Sequence, residues 1–583
     1  MLISSNAVVA RALLKTLKTA PGNQPNSPQR TRSPHMALTT STSYPVVNRS
    51  RTEAVPRRGL LSPKTATLLI CLVGVGLIAL LLAANAARPG GRPIIHMACC
   101  FDAPSYFSTG HALLFRQSFD LSSEFQRLGL PFETWPHSFE PDGQFVSPET
   151  GRPASVFAIG YSILEIPFLA AGTGMDALTH HPADGYGQFA LMFYYIANIV
   201  FLTIGLVCLY WFLYALGEYL PISERSRTWV PLLAVIAIIP TTTLGFYAFS
   251  PLAHECGFMM LSILVLFWWH SRNSSQAWRW ALLGVVAGFV ALCRWQDAIY
   301  MAGPPLCELL HLFRTRKLPE GISIQKWLGV RALYCVVAFA TLTPQLIEWK
   351  AIFGHYLLVP QGSGFFVFPP HYVQNVLFST QHGWFVWTPV TLFCVIGLFM
   401  AWFKFEGYLV PWILLVFTEI LLMGAQPTDW HCNESFSIRS LTCSLAVAAM
   451  GLAIFVWATP ARWTPVVWSL IVFFGVYSTL FAAQYRLDLL PKNDRLLASE
   501  LIHDKLFMRQ AYARSRSAQR GAELIQTGDA AGATVSLNRS LAQYGDDRSL
   551  LKTLQEAYTA EGNIPAAEET QERLQKLLAR RLF

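Results

Sequence analysis

A single carboxylate, Asp102, lies in the stretch HMACCFDAPSYFST (96–109), which follows the first long apolar run of the chain. It stands two residues before Pro104 and four before Tyr106. A carboxylate in this place can act as a general base, because it can take a proton from a hydroxyl within hydrogen-bond reach. The alternative is a structural role, in which Asp102 caps a helix that begins near Pro104.

The elements around Asp102 are predicted to be membrane helices. The chain has 583 residues, of which 53% are hydrophobic and 14% are charged, and its mean hydropathy is +0.37. Several stretches exceed 18 residues with almost no charge, which excludes a soluble domain of this length. We therefore expect an all-α polytopic membrane protein, in which residues 66–483 form the transmembrane domain.

The distribution of charge predicts how the chain crosses the membrane. Residues 1–66 contain ten Lys or Arg and one acid, and we expect the tail 1–65 to be mostly disordered and cytoplasmic. Later basic connectors are assigned to the cytoplasm, and connectors without Lys or Arg to the outside, which gives eleven crossings and an external C-terminus. The predicted spans are 66–87, 187–217, 229–249, 252–270, 280–294, 297–313, 330–351, 384–403, 407–425, 439–459 and 463–483.

Two segments need a separate interpretation. The run 153–172 contains Glu165 and is expected to lie at the outer face, inside a long first external loop from 88 to 185. The run 280–313 has basic connectors at both ends, so it must cross twice, with a turn near Arg294 and Asp297 that is open to the outside. Charges in such a place are costly and often functional; an ion pair that only fixes the hairpin is the alternative.

The last segment, 484–583, is polar, nearly neutral and helical by pattern. It contains GDAAGA at Gly528 and GNIPAA at Gly562, one 34-residue step apart. This spacing resembles the tetratricopeptide repeat and predicts a small helical domain that binds a protein partner. An ordinary helical hairpin is the alternative.

Short segments along 60–480 resemble the C-type (GT-C fold) glycosyltransferases, including the glycosyltransferase 39 and Rgt-like types. FDAPSY is similar to the Gly-Asp-Glu-Pro-His-Tyr of many bacterial members, with Ala103 and Ser105 in place of the second acid and the His. ESFSIRSL is similar to a Ser-Phe-Gly-x-Arg motif, with Ser437 where Gly is usual. Further similar segments are YAFSPLAHECGF, ALCRWQDAIY, TPQLIEWKAIFG and LFSTQHGWFVWTPV.

The resemblance implies an inverting enzyme of a bacterial inner membrane that moves a sugar from a polyprenyl-phosphate carrier to an external hydroxyl. Asp102 would be the base, and basic side chains would stabilise the departing phosphate, although such cations can also snorkel to lipid headgroups. The residues expected to bind substrate are Tyr106, Arg152, His254, Arg294, Gln296, Asp297, Lys350, His382 and Arg439.

No cofactor is expected beyond the lipid-linked donor. The missing second acid argues against a divalent metal, because hard cations favour clustered oxygens, and the eleven cysteines show no zinc or haem spacing. Nothing predicts a nucleic-acid partner. Two other classes stay open, a non-catalytic membrane scaffold that recruits a partner through its C-terminal helices and a transporter or flippase.

Overall fold

A computed structural model describes residues 61–87, 102–128, 147, 149–153, 155–318, 322–362, 364–405 and 408–579. Within these ranges the regular secondary structure is helical, and no strand extends beyond an isolated bridge residue. The all-α prediction is therefore confirmed for the described residues. Most of the predicted tail 1–65 lies outside them.

The first half of the described chain contains ten α-helices. They are α1 (Pro63–Ala86), α2 (Ala103–Arg116), α3 (Ser122–Leu128), α4 (Gly160–Leu178), α5 (Gln188–Leu216), α6 (Glu224–Thr241), α7 (Thr243–Tyr247), α8 (Ala253–Ser271), α9 (Ala277–Cys293) and α10 (Gly303–Thr315). The next eight are α11 (Ile324–Thr341), α12 (Thr343–Phe353), α13 (Val373–Phe378), α14 (Trp384–Trp387), α15 (Val390–Lys404), α16 (Val410–Gly424), α17 (Leu445–Ala458) and α18 (Thr464–Arg486). Short 3₁₀ stretches lie at Gly217–Tyr219, Trp295–Ala302 and Arg439–Thr442.

Several helices have the length and surface of membrane helices. Among the described residues, four helical segments are long and apolar enough to cross a membrane: Pro63–Ala86, Gln188–Tyr219, Ile324–Phe353, which includes both α11 and α12, and Thr464–Arg486. Shorter apolar helices occur at Ala277–Cys293, Val390–Lys404, Val410–Gly424 and Leu445–Ala458. On α1, the side chains of Leu68, Leu72, Val75 and Leu80 are each more than half exposed. A helix face of this kind fits an apolar solvent, so the described helices are consistent with a membrane protein.

The hairpin predicted at 280–313 has two helices, but the boundary of the second was wrong. Helix α9 ends at Cys293, and the 3₁₀ stretch Trp295–Ala302 precedes α10, which begins at Gly303 rather than at 297. Pro304 lies in the first turn of α10. Proline is favoured there because its fixed φ suits a helix start and its missing N–H would have no helical partner.

Four further predicted spans are also interrupted, of which 229–249 is divided between α6 and α7 and 384–403 between α14 and α15. The span 330–351 is divided between α11 and α12, because Pro344 lies in the first turn of α12 and cannot donate a hydrogen bond into a continuous helix. The span 439–459 begins as a helix only at Leu445, after the 3₁₀ turn Arg439–Thr442. The interruption in the span 439–459 therefore places Arg439 outside α17.

The segment predicted to lie at the outer face forms α4, which begins at Gly160 rather than at 153. It packs against α2 and α5. Just before the helix, the backbone N–H of Ile159 donates to the Gln345 side chain at 2.9 Å. Glu165 is fully buried in this helix.

Glycines bring α15 and α17 into close backbone contact. A Cβ atom added to Gly397 would lie 1.8 Å from the carbonyl oxygen of Gly451, and one added to Gly451 would lie 2.0 Å from that of Cys394. Small residues at helix crossings allow such an approach in membrane proteins. This contact joins α17, which follows Arg439, to the rest of the bundle.

The C-terminal segment contains a π-helical turn (Ser499–His503), a helical turn (Asp504–Leu506) and the helices α19 (Met508–Gln526), α20 (Ala530–Tyr544), α21 (Arg548–Ala560) and α22 (Ile564–Leu578). Gly528 and Gly562 both have positive φ, 85° and 77°. The next residue in each case, Asp529 or Asn563, caps the following helix through its side chain. The two sequence copies thus have the same local structure, and their likeness to the tetratricopeptide repeat stays a prediction.

Candidate functional site

Asp102 forms an ion pair with Arg439. The Oδ2 atom of Asp102 lies 3.0 Å from Nη1 of Arg439, and the two side chains are 11% and 21% exposed. Asp102 occupies the N-cap position of α2, but its side chain makes no capping hydrogen bond. The capping alternative is therefore wrong for the side chain, because the carboxylate contacts a cation instead.

Local backbone structure holds both partners in place. The Asp102 carbonyl accepts hydrogen bonds from the N–H groups of Ser105 and Tyr106, which lie in the first turn of α2. On the other side, the N–H of Arg439 donates to the carbonyl of Ser437 at 3.0 Å. Ser437 has φ 56°, in the left-handed region that favours glycine. The departure from glycine in the resembled motif thus falls where the backbone turns toward Arg439.

Arg294 brings a second guanidinium to the same turn. Its Nη1 donates to the Ser440 carbonyl at 2.7 Å, and the side chain is buried. The residue therefore joins the end of α9 to the 3₁₀ turn that begins with Arg439. The carboxyl groups of Asp297 and Glu419 interact with its charge.

Tyr106 completes what we call the Asp102 cluster, which consists of Asp102, Tyr106, Arg294 and Arg439. Tyr106 is buried, and its ring packs against Phe157 and Tyr161 with centroids 5.0 and 5.2 Å away. Burial raises the pKa of its hydroxyl well above the usual range, and the charge of Asp102 adds to this effect. The hydroxyl therefore stays protonated and can donate a hydrogen bond.

Three other predicted residues lie beside the cluster. His254 is buried, 5.3 Å from the Tyr247 ring, and the charges of Arg294 and Arg439 act on it. Asp297 is fully buried and interacts with the charge of Arg294. Gln296 is half-buried in the 3₁₀ stretch between α9 and α10.

His382 contacts the loop that leads into Arg439. Its Nδ1 lies 2.7 Å from the carbonyl oxygen of His431. Since a carbonyl only accepts, Nδ1 must carry the hydrogen. Burial lowers the pKa of His382 to about 4, so the ring is neutral at pH 7. Its position is defined by this hydrogen bond and by Trp387, whose ring lies 5.0 Å away.

Arg152 and Lys350 lie together in another place, at the end of α12. Arg152 Nη1 donates to the Ala351 carbonyl at 2.8 Å, and Lys350 Nζ donates to the Gly354 carbonyl. Within the described residues, the ion pair of Asp102 is with Arg439 and not with either of these cations. The structure therefore divides the predicted cations into two groups.

Asp429 was not singled out from the sequence. It is half-buried in the loop before Arg439, and its Oδ1 accepts a hydrogen bond from Asn433 Nδ2 at 2.8 Å. Burial raises the pKa of Asp429 to about 6; Arg439 and Arg294 act to lower it, and Asp102 acts to raise it. The available signal was its place in the loop without Lys or Arg that leads to Arg439.

Comparisons with protein-family models and with curated proteins find no match for this chain. Among the described residues, no group of three or more His, Cys, Asp or Glu gathers where it could hold a metal ion. The family resemblance and the absence of a metal both stay predictions. The geometry itself offers a carboxylate, two guanidinium groups and a protonated phenol in one cluster. Such a set can accept a proton and stabilise an anion.

Proposed function

We propose that this chain is an integral membrane glycosyltransferase. It would move a sugar from a polyprenyl-phosphate carrier to a hydroxyl on an external glycan, lipid or protein, with inversion. The observation that carries the proposal is the ion pair between Asp102 and Arg439, with Arg294 bound to the same turn. It supports the proposal because sugar transfer from a lipid phosphate needs one base and a cationic environment for the leaving group.

The proposed reaction has one chemical step. The acceptor oxygen attacks the anomeric carbon, the bond from that carbon to the phosphate oxygen breaks, and Asp102 takes the proton of the acceptor hydroxyl. The phosphate leaves as an anion with the bonding electrons, and Arg439 and Arg294 stabilise its charge. Arg439 therefore has two roles, since it holds the carboxylate before the donor arrives and faces the phosphate as the bond breaks.

The proposal includes a membrane arrangement. Eleven helical crossings of a GT-C-like bundle would place the loop 88–185, the Asp102 cluster and the C-terminal helices outside a bacterial inner membrane. In the part of the chain that the structure describes, four helical segments of sufficient length and four shorter apolar helices support part of this count. The packing of α4 on α2 and α5, with Glu165 buried, supports a long external loop folded onto the bundle.

The direct test is sugar transfer by the purified chain in liposomes, with a polyprenyl-phosphate sugar as donor. Asp102→Asn keeps the size of the side chain and removes the base, so transfer should fall at least about 100-fold. Asp120→Asn is the matched control, because Asp120 lies in the same loop and bonds Ser122 rather than the cluster. Full transfer by a folded Asp102→Asn variant would exclude Asp102 as the base.

A scaffold role for the C-terminal helices is the second candidate. The matching Gly528 and Gly562 turns support it, because paired helical hairpins of this spacing commonly present a binding surface. Under this role the wild-type chain would show no transfer and would co-purify with a stoichiometric protein, and deletion of residues 508–579 would release that protein.

A further inference from the structure

Two cysteines of the described chain lie in contact beside the Asp102 cluster. The Sγ atoms of Cys256 and Cys293 are 3.1 Å apart, and both residues are fully buried. Each thiol is free in the structure. By sequence alone both residues looked like small hydrophobic side chains of apolar helices. Their juxtaposition is therefore a tertiary feature, not a consequence of sequence spacing.

The pair lies where α8 begins and α9 ends. Cys256 is in the first turn of α8, two residues after His254. Cys293 is the last residue of α9 and directly precedes Arg294. A covalent bond between the two sulfurs would tie the start of α8 to the turn that presents Arg294. It would therefore limit how far Arg294 can move from the Ser440 carbonyl that it binds.

We propose that Cys256 and Cys293 form a disulfide in the mature protein. The S–S bond forms as each thiol gives up its hydrogen, and two electrons and two protons pass to a disulfide-bearing thiol oxidant outside the membrane, which becomes a dithiol. The sulfurs need to approach from 3.1 Å to about 2.05 Å.

The inference rests on the arrangement under the proposed function, in which both helix ends face outside. Disulfides form in oxidising compartments such as the bacterial periplasm and are rare in the cytosol. Because both residues are buried, the bond would form before α8 and α9 finish packing. Reductants would then reach it only after unfolding.

The test is a thiol assay on full-length protein purified without reductant. The denatured chain is alkylated before and after reduction and cut with trypsin. Cys256 and Cys293 are the single cysteines of the peptides 228–272 and 280–294, and Cys307 is the single cysteine of 295–314. Cys307 is the control, because it is a buried thiol of α10.

We expect the Cys256 and Cys293 peptides to be alkylated only after reduction, and to appear as one linked mass without it. The Cys307 peptide should be alkylated in both cases. In the Cys256→Ser variant, the Cys293 peptide should become reactive without reduction, and Cys293→Ser should do the same for Cys256. Alkylation of both wild-type peptides without reduction would overturn the inference.

The assay separates this inference from the proposed function, because it does not require transfer. If the two thiols are oxidised in a chain that transfers no sugar, the result supports the disulfide and contradicts the proposed enzyme activity. Transfer by a chain whose two thiols are free would do the reverse.

Discussion

Asp102, at the start of α2, and Arg439, at the start of the turn before α17, hold each other through a 3.0 Å ion pair. The two residues come from opposite ends of the membrane-like part of the chain. Their pairing gives the loop that follows α1 a fixed charged contact with the bundle. It also means that a substrate anion arriving at Arg439 would compete with Asp102 for the same guanidinium.

The first prediction concerns Arg439. Under the proposed reaction, we expect Arg439→Gln to lower sugar transfer at least about 100-fold, because it removes a cation that stabilises the leaving phosphate and is the ion-pair partner of Asp102. It should also lower the free energy of unfolding by about 3 kcal/mol, since it leaves Asp102 unpaired in a mostly buried place. Transfer in liposomes and thermal unfolding in detergent measure the two effects.

Arg439→Lys is the matched variant for this prediction. It keeps the charge but loses the planar fork of donors, so it should retain more stability than activity. If the folded Arg439→Gln variant transferred sugar as fast as the wild-type protein, Arg439 would have no role in the reaction.

How far the sequence predicts this site can be judged from single residues. Asp102 and Arg439 were each predicted separately, since Asp102 is the single carboxylate of 96–109 and Arg439 is a cation at an external helix end where positive charge is otherwise absent. Their contact could not be predicted, because charge patterns indicate on which side of the membrane a residue lies but not how far apart two residues are within the helix bundle. Lys350 looked equivalent to Arg439 by the same criterion, but it binds a carbonyl just after α12. Arg152, also a candidate cation, binds a carbonyl at the end of the same helix.

Helix ends show the same limit. The sequence located the hairpin 280–313 but not its 3₁₀ stretch Trp295–Ala302, because hydropathy does not distinguish helix types. The matching turns at Gly528 and Gly562 were visible, since a left-handed glycine followed by a capping Asp or Asn is a local signal. Asp429 had no such signal, because its burial comes from elements distant in the chain.

The second prediction concerns Ser437, which has φ 56° and a hydroxyl without a hydrogen-bond partner among the described residues. Ser437→Gly should stabilise the protein by up to about 1 kcal/mol, because glycine adopts this conformation at little cost. Ser437→Ala keeps the strain and is the control, so it should not share the gain in thermal midpoint. A loss of stability in the Gly variant would show that the turn is not strained.

The third prediction concerns the pH dependence of stability through Asp429. Burial raises its pKa to about 6 from a model-peptide value of 3.8. Between these two values the folded state keeps a proton that the unfolded state has lost, so stability falls as pH rises through this window. The Asp429→Asn variant does not ionise, so it does not lose stability in this window, and its side-chain oxygen can still accept the hydrogen bond from Asn433. The thermal midpoint of the variant, relative to wild type, should therefore rise from pH 4 to pH 7.

The control for Asp429 is Glu434→Gln, an exposed acid of the same loop. It should not reproduce the rise expected for Asp429→Asn over this range. A flat difference for Asp429→Asn itself would show that Asp429 ionises as in an unfolded chain.

The fourth prediction has the opposite sign and concerns Glu124. Burial alone would raise the pKa of Glu124, but hydrogen bonds with His111 (3.0 Å) and Arg116 (2.9 Å) outweigh it and lower the pKa to about 2. The stability that this group contributes is therefore present above about pH 4.5 and is lost as pH falls toward 2.

Glu124→Gln should cost about 2 kcal/mol at pH 7, and the difference from wild type should shrink as the pH is lowered to 3. Thermal unfolding across this range measures it, with Glu572→Gln, an exposed acid of α22, as the control. A difference that stays constant with pH would mean that Glu124 has the same pKa in the folded and unfolded states, so that its ionisation adds no stability.

The last prediction tests helix packing in the bundle through two glycines. A Cβ atom on Gly451 would lie 2.0 Å from the Cys394 carbonyl oxygen, and backbone cannot move aside as a flexible side chain can. Gly451→Ala should therefore separate α15 from α17 and lower the free energy of unfolding by about 1–3 kcal/mol.

Gly76 is the matched control, because it is also helical and a Cβ there meets nothing within 4 Å. Gly76→Ala should be neutral or stabilise by up to about 1 kcal/mol, because alanine is the better helix former. Thermal unfolding of the two variants in one detergent compares them directly, and equal midpoints would show that α15 and α17 are not in close contact.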